Sequence, residues 1–292
     1  MGQAAQTGRA SRRRDHLQHN AGGYESGRTL VLWIAGFAGL LIVLSLALTW
    51  VDSTNLNDID GYRSAGLTDL PDANSGVEQL LEFAAGQGLD CPSAQALAAG
   101  LSDCSTVLEI SRTINDHDTA SAVIWGLMIL GTIALLFPLT RFTYQANANL
   151  RHLRLTGQRF TPGWAAGWFF IPFANFIQPA RVYRELVRAS GSTETSGAPT
   201  WQNTSPPDVQ IVGFWWPLVV IAIFFGPSGI SLFVSHGDID GWSQAAQMLV
   251  WADLFQVFPL ALTVVVVYRL QRAQEIRRQL VRAGQTPRSE DS

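Results

Sequence analysis

Four long apolar stretches constrain the fold of this 292-residue chain more than any other feature. They cover residues 29–51, 120–140, 211–234 and 245–268, and Asp253 is the only charged residue among them. An α-helix rises about 1.5 Å per residue, so about 20 apolar residues match the hydrocarbon thickness of a bilayer. We therefore predict an all-α integral membrane protein with four transmembrane helices. This excludes a soluble enzyme, a nucleic-acid-binding domain and a secreted disulfide scaffold as descriptions of the whole chain.

The distribution of arginine predicts the orientation in the membrane. The chain has twenty arginines and no lysine, and eighteen of the arginines lie in residues 1–28, 141–210 and 269–292. Residues 52–119 carry two arginines, and residues 235–244 carry none. Because positively charged loops stay on the cytoplasmic side, we expect both termini and the 141–210 segment to be cytoplasmic. The other two loops are expected outside.

The two ends of the chain are predicted to be polar cytoplasmic segments. Residues 1–28 have too little apolar content to fold alone and are expected to form a disordered arm. In that arm Arg12–Arg14 either touch anionic lipid or only fix the orientation. Residues 29–51 lack a cleavage pattern and read as a permanent signal anchor, and residues 269–292 form a basic tail.

The 52–119 loop is predicted to be a small helical cap outside the membrane. It contains both cysteines, Cys91 and Cys104, which are expected to form a disulfide in an oxidising compartment. Apolar residues recur at helical spacing over 77–85 and 93–101. Its twelve acids form a solvated face or attract cations or a basic partner. A single histidine without ligand spacing predicts no metal site here.

A tryptophan- and proline-rich segment in the cytoplasmic region, residues 160–179, is the most informative part of the sequence. Its apolar core, residues 164–177, is too short to span a bilayer. If it crossed fully, the inside-to-outside arginine count would fall from 18:2 to 9:11, so we predict a re-entrant or interfacial helical hairpin that enters and leaves on one side. Trp164 and Trp168, four residues apart, are expected to lie together at headgroup level.

An amphipathic helix is predicted next, over residues 180–189. Pro179 suits its first turn. One face is basic and the other apolar: Arg181, Arg184 and Arg188 against Val182, Tyr183, Leu186 and Val187. Such a helix lies in the interface with its guanidinium groups toward lipid phosphate or a partner. Glu185, four residues after Arg181, is expected to form an intrahelical ion pair with it.

The sequence PGWAAGWFFIPFANFIQP, at residues 162–179, carries a family resemblance. It is preceded by ANLRHLRLTGQRF and followed by ARVYREL and, further on, by Trp215-Trp216. Together these motifs resemble the bacterial membrane family Domain of Unknown Function 4328 over about residues 120–270. The resemblance implies a four-helix protein of the bacterial plasma membrane and supplies no activity. It marks these motif positions for testing: Pro162, Gly163, Trp164, Gly167, Trp168, Pro172, Asn175, Pro179 and Glu185.

Most of these motif residues suit a broken, tightly packed hairpin. Gly163 and Gly167 are expected to allow close backbone approach, and the three prolines to fix bends. Asn175 is expected to bond backbone groups freed at Pro172. The alternative is that the hairpin forms the mouth of a site between the spans.

Asp253 is the one ionisable residue predicted inside a span, and Gln256 shares its face. Intramembrane acids are costly and often couple to protons or cations. The alternative is an interhelical hydrogen bond, or a charge that reaches the nearby outer surface.

Catalytic motifs are mostly absent from the sequence. Gly226-Pro227-Ser228-Gly229 resembles the GxSG of rhomboid proteases, but no histidine lies inside a span to act as a base. We therefore expect a non-catalytic membrane module, without cofactor or metal, that docks a cytoplasmic or membrane protein or anionic lipid through residues 160–189. The alternative is a small transporter or channel component using Asp253 and Gln256, and a membrane-embedded enzyme is a third reading. Homo-oligomers are compatible with the sequence, and no nucleic-acid partner is expected.

Overall fold

The computed structural model describes residues 23–72, 74–101, 103–191, 208–225 and 238–283. All regular structure within these ranges is helical, which confirms the all-α class. The helices are α1 (Arg28–Ser64), α2 (Val77–Gly86), α3 (Ala94–Ala99), α4 (Cys104–His152), α5 (Pro162–Gly167), a 3-10 turn (Ala174–Phe176), α6 (Gln178–Gly191), α7 (Asp208–Phe225) and α8 (Ile239–Ala283).

Three helices, α1, α4 and α8, are long and apolar enough to cross a membrane. Helix α7 is a shorter apolar helix, and residues 226–234 of the predicted third span lie outside the described residues. All four helices expose large apolar side chains, as a surface in contact with lipid requires. Examples are Leu32, Phe137, Phe214 and Phe258. The described helices therefore have the length and the apolar surface expected of a membrane protein.

The helices continue well past the apolar stretches that predicted them. Helix α1 runs from the predicted span through residues 52–64, and α4 begins at Cys104, sixteen residues before the predicted second span. These extensions carry buried apolar residues of their own, including Ile59, Ile110 and Ile114. These extensions are stabilised as helices because one face packs against apolar residues, although the other faces are polar. Mean hydropathy does not detect such an amphipathic helix.

The chain divides into two compact units. The first comprises residues 1–39, 133–220 and 259–292, and the second residues 40–132 and 221–258.

In the second unit the predicted cap and disulfide are both present. Cys91 and Cys104 are bonded, with their Cα atoms 4.9 Å apart. The helices predicted over 77–85 and 93–101 correspond to α2 and α3, and the Ser93 side chain caps α3 by accepting a hydrogen bond from the Ala96 amide. A small core surrounds the disulfide: Leu80, Ala84, Leu97 and Val107. The acidic loop therefore contains its own hydrophobic core.

In the first unit the end of the predicted disordered arm is packed. The amide of Glu25 donates to Asn149 Oδ1 at 3.2 Å, and the amide of Gly27 donates to Gln271 Oε1 at 3.2 Å. A Cβ atom at Gly27 would lie 2.5 Å from that oxygen, so a larger residue here would displace the Gln271 side chain and its hydrogen bond. Hydrogen bonds to buried amide side chains hold residues 23–28 in place. The low apolar content of this segment did not predict that order. Residues 1–22, with Arg12–Arg14, lie outside the described residues.

Candidate functional site

The hairpin segment begins with α5. Thr161 caps this helix by accepting a hydrogen bond from the Trp164 amide. The rings of Trp164 and Trp168 lie 5.1 Å apart, as their spacing predicts. A Cβ atom at Gly163 or Gly167 would have no neighbour within 4 Å. The expected close backbone approach at these glycines is therefore wrong.

The backbone forms a tight turn at Pro172 and Phe173. Phe173 adopts a φ of +62° with ψ of −44°, a conformation that strains a residue with a side chain, and it is 82% exposed. The turn that follows is bonded through the backbone, with the Ala174 amide donating to the Pro172 oxygen at 2.7 Å. Asn175 Oδ1 is buried without a hydrogen-bond donor in the described part of the chain. The bond expected there from a freed backbone amide is therefore not made.

The tryptophan pair of α7 fastens the hairpin segment within the first unit. Trp216 Nε1 donates to the Phe176 backbone oxygen at 3.0 Å, and the Phe169 ring meets the Trp216 ring edge-on at 5.8 Å. Its neighbour Trp215 is fully buried, and Trp215 Nε1 donates to Thr263 Oγ1 of α8 at 2.8 Å. The two indoles thus join the hairpin, α7 and α8.

Helix α6 has the two faces that the sequence predicts. Val182, Tyr183 and Leu186 are fully buried, whereas Arg181 and Arg184 are exposed. The Tyr183 ring packs edge-on against Trp215, with ring centroids 4.8 Å apart. Pro179 is the second residue of the helix, in its first turn. The arginine face is therefore presented outward from a buried anchor.

A cleft of about 720 Å³ opens beside this basic face. Four arginines line it, together with Gly157, Phe160 and Glu185: Arg159, Arg181, Arg184 and Arg188. Arg159 was not predicted as a site residue, because it belongs to the loop before the hairpin and shares no helical spacing with the other three. We call this the arginine cleft.

Glu185 has a different role from the one expected. Its carboxylate accepts hydrogen bonds from the backbone amides of Arg159 and Phe160, at 3.0 and 3.4 Å, and forms no ion pair with Arg181. Burial raises the pKa of Glu185, and the two backbone hydrogen bonds oppose that rise. Glu185 thus positions the loop that carries Arg159 over α6.

The positive charge of the arginine cleft is not neutralised by ion pairs within the described residues. None of its four arginines takes part in one there. The Nε atom of Arg188 is buried without an acceptor among those residues. Guanidinium groups in such a setting bind phosphate or carboxylate through several N–H donors.

A second polar feature lies in the second unit, around Asp253. This residue is 0% exposed, and its carboxyl interacts with that of Asp52, which is 7% exposed. Across the described ranges, neither oxygen of Asp253 has a conventional hydrogen-bond partner. Gln256 is only half-buried, and the group that acts on Asp253 is Asp52. The sequence does not identify Asp52 as a partner of Asp253, because Asp52 directly follows the first apolar stretch and therefore falls in the predicted 52–119 loop.

The described residues contain no group of three or more His, Cys, Asp or Glu side chains arranged to hold a metal. His117 Nε2 lies 2.8 Å from Asp58 Oδ2. Residues 226–229, which resemble a protease motif, lie outside the described ranges.

A family model described as Domain of unknown function (DUF4328) matches residues 106–272, more than half of the chain. The match includes the hairpin, the arginine cleft and Asp253, and it leaves out Asp52. No curated protein and no solved structure matches this chain.

Proposed function

The chain belongs to the Domain of Unknown Function 4328 family, and we propose that it is a non-catalytic membrane module whose arginine cleft binds the phosphate headgroups of anionic lipids. The observation that carries this proposal is the convergence of four arginines on one cleft without an ion pair among the described residues.

The geometry of the arginines favours a compact anion with several acceptor oxygens. Arg181, Arg184 and Arg188 project from one rigid helix, and Arg159 approaches from a loop that Glu185 holds in place. Charge-assisted hydrogen bonds from guanidinium to phosphate are about twice as strong as neutral ones. The Glu185 carboxylate is engaged by two backbone amides and attracts Arg159, but it forms no ion pair with any of the four arginines among the described residues.

The apolar surface of the hairpin favours a lipid as the source of that phosphate. Trp164, Phe170, Phe173 and Ile177 are all exposed large apolar side chains within one short segment. An exposed patch of this kind marks contact with a membrane or a partner. Aromatic side chains next to arginines are typical of the layer where acyl chains meet headgroups.

Native mass spectrometry of the purified full-length protein tests the proposal. Wild type is offered phosphatidylglycerol and phosphatidylcholine in the same detergent. We expect retention of phosphatidylglycerol over phosphatidylcholine, and a loss of that preference of about tenfold or more in the R181A/R184A/R188A variant. Tenfold corresponds to about 1.4 kcal/mol, which is less than three charge-assisted hydrogen bonds supply.

A matched variant separates the cleft from general loss of charge. R151A/R272A/R282A also removes three exposed arginines, all outside the cleft, and is expected to retain the lipid preference. Equal binding of both lipids by wild type, or equal losses in the two triple variants, overturns the proposal. A photoreactive residue at Phe173 adds an independent outcome, because stoichiometric crosslinking to a protein in native membranes would replace lipid with a protein partner.

A further inference from the structure

We propose that Asp52 and Asp253 form a proton-binding site in the second unit, holding one shared proton that reaches the pair from water through Asp58 and His117. This site is separate from the arginine cleft and does not depend on the function proposed for it.

Because both carboxyl groups are buried, part of their negative charge must be neutralised. Asp253 is fully enclosed, Asp52 is nearly so, and neither forms an ion pair within the described residues. Two neighbouring carboxylates cannot both stay ionised in such surroundings, because each loses its hydration and repels the other. One shared proton removes a charge and supplies the O–H donor that the oxygens of Asp253 otherwise lack.

The groups around the pair favour a proton over a metal ion. The pair consists of Asp52 from α1 and Asp253 from α8, and His117 from α4 acts on Asp52. Asp58 of α1 contacts His117 rather than the pair. A hard cation takes six or more oxygen ligands, whereas the described residues place no third carboxylate in a metal-holding group with this pair. A proton needs only the two carboxyl groups.

Asp58 and His117 supply the groups for the proposed route from water to the pair. The Asp58 side chain is 43% exposed, and its Oδ2 atom lies 2.8 Å from His117 Nε2. His117 also interacts electrostatically with Asp52. Imidazole accepts a proton on one ring nitrogen and releases one from the other near neutral pH. The proposed route takes a proton from water through His117 to Asp52, and the pair that shares this proton carries a net charge of −1.

Labelling with dicyclohexylcarbodiimide tests the site in the full-length protein. This apolar reagent reacts with protonated carboxyl groups in apolar surroundings, and peptide mass spectrometry locates the adduct. We expect at most one adduct per chain, on Asp52 or Asp253. The yield of this adduct should fall about tenfold for each pH unit above the pH at which half of the pairs have lost the shared proton. The infrared C=O band of a protonated carboxyl should accompany it.

Neutral, nearly isosteric variants provide the controls. D253N and D52N should each abolish both the adduct and the infrared band, whereas D116N, at an exposed acid of α4, should keep both. An unchanged melting temperature in one of the two site variants shows that the loss is local.

Three results would overturn the proposal. The first is folded wild type with neither adduct nor band at neutral pH. The second is two adducts per chain, which excludes a shared proton. The third is protection by excess sodium at constant pH, which would place a metal cation at the pair.

Discussion

The indole Nε1 of Trp216 donates a hydrogen bond to the backbone oxygen of Phe176 at 3.0 Å, across forty residues of sequence. This bond joins the end of the hairpin to α7, and its loss should be measurable. We expect W216F to lower the free energy of unfolding by about 1 kcal/mol, the usual net value of one hydrogen bond. Thermal unfolding in detergent measures the change. W251F, at an exposed indole of the second unit, should change stability by less, and equal effects would contradict the role assigned to Trp216.

The strained backbone at Phe173 predicts an unusual order of stability. Glycine relieves the positive φ, whereas alanine keeps the strain and loses the same apolar ring. We expect F173G to be more stable than F173A by about 1 kcal/mol, which is the reverse of the order at an ordinary position. Thermal unfolding of the two variants measures the difference. Greater stability of F173A would show that this turn is unstrained.

Glu185 predicts a pH-dependent difference between wild type and E185Q. Burial raises the pKa of Glu185 above its ordinary value of 4.5, so the folded state binds the proton more tightly than the unfolded chain. The stability that this adds is fully present below pH 4.5 and is lost as the pH rises through the folded pKa. We therefore expect the melting temperature of wild type to fall relative to E185Q over that rise. A constant difference across the range would contradict burial of the carboxyl group.

E185A should behave differently from E185Q, since it removes the acceptor of two backbone amides. We expect a cost of about 1 kcal/mol and weaker binding of phosphatidylglycerol, because the loop carrying Arg159 loses its support. Unfolding and native mass spectrometry report the two effects separately. Lipid binding equal to that of wild type would show that Arg159 is held by other contacts.

Removal of the disulfide should loosen the cap locally. The bond closes a loop with a sequence separation of 13, for which the chain-entropy model gives roughly 3 kcal/mol. We expect C91S/C104S to be cleaved by protease within residues 77–101 much faster than wild type, with headgroup binding unchanged. Cleavage at the wild-type rate would show that the apolar core around Leu80 and Leu97 holds the cap alone.

Features encoded in short stretches of sequence were predictable. The two faces of α6 follow from the spacing of Arg181, Arg184 and Arg188 among apolar residues, and α2 and α3 follow in the same way. The disulfide between Cys91 and Cys104 could be predicted once their loop was assigned to an oxidising compartment. Trp215 and Trp216 were recognisable as part of the family motif, but their hydrogen-bond partners Thr263 and Phe176 were not predictable.

Pairings between distant residues were not predictable from one sequence. Asp52 and Asp253 are 201 positions apart, and no local pattern connects them. Arg159 lines the cleft from a loop whose backbone bonds Glu185, 26 residues further along the chain. The sequence also did not show which glycines are closely packed. A Cβ atom at Gly163 or Gly167 would have no neighbour within 4 Å, whereas one at Gly27 would clash with Gln271.

The packing of residues 23–28 has a consequence for biosynthesis. The Arg278 guanidinium lies 4.5 Å from the centre of the Tyr24 ring, and Arg28 forms an ion pair with Glu275. Both partners belong to α8, the last described helix to leave the ribosome. Residues 23–28 can therefore form these contacts only after α8 has been translated, and a product truncated before α8 would leave Tyr24 without the Arg278 guanidinium over its ring.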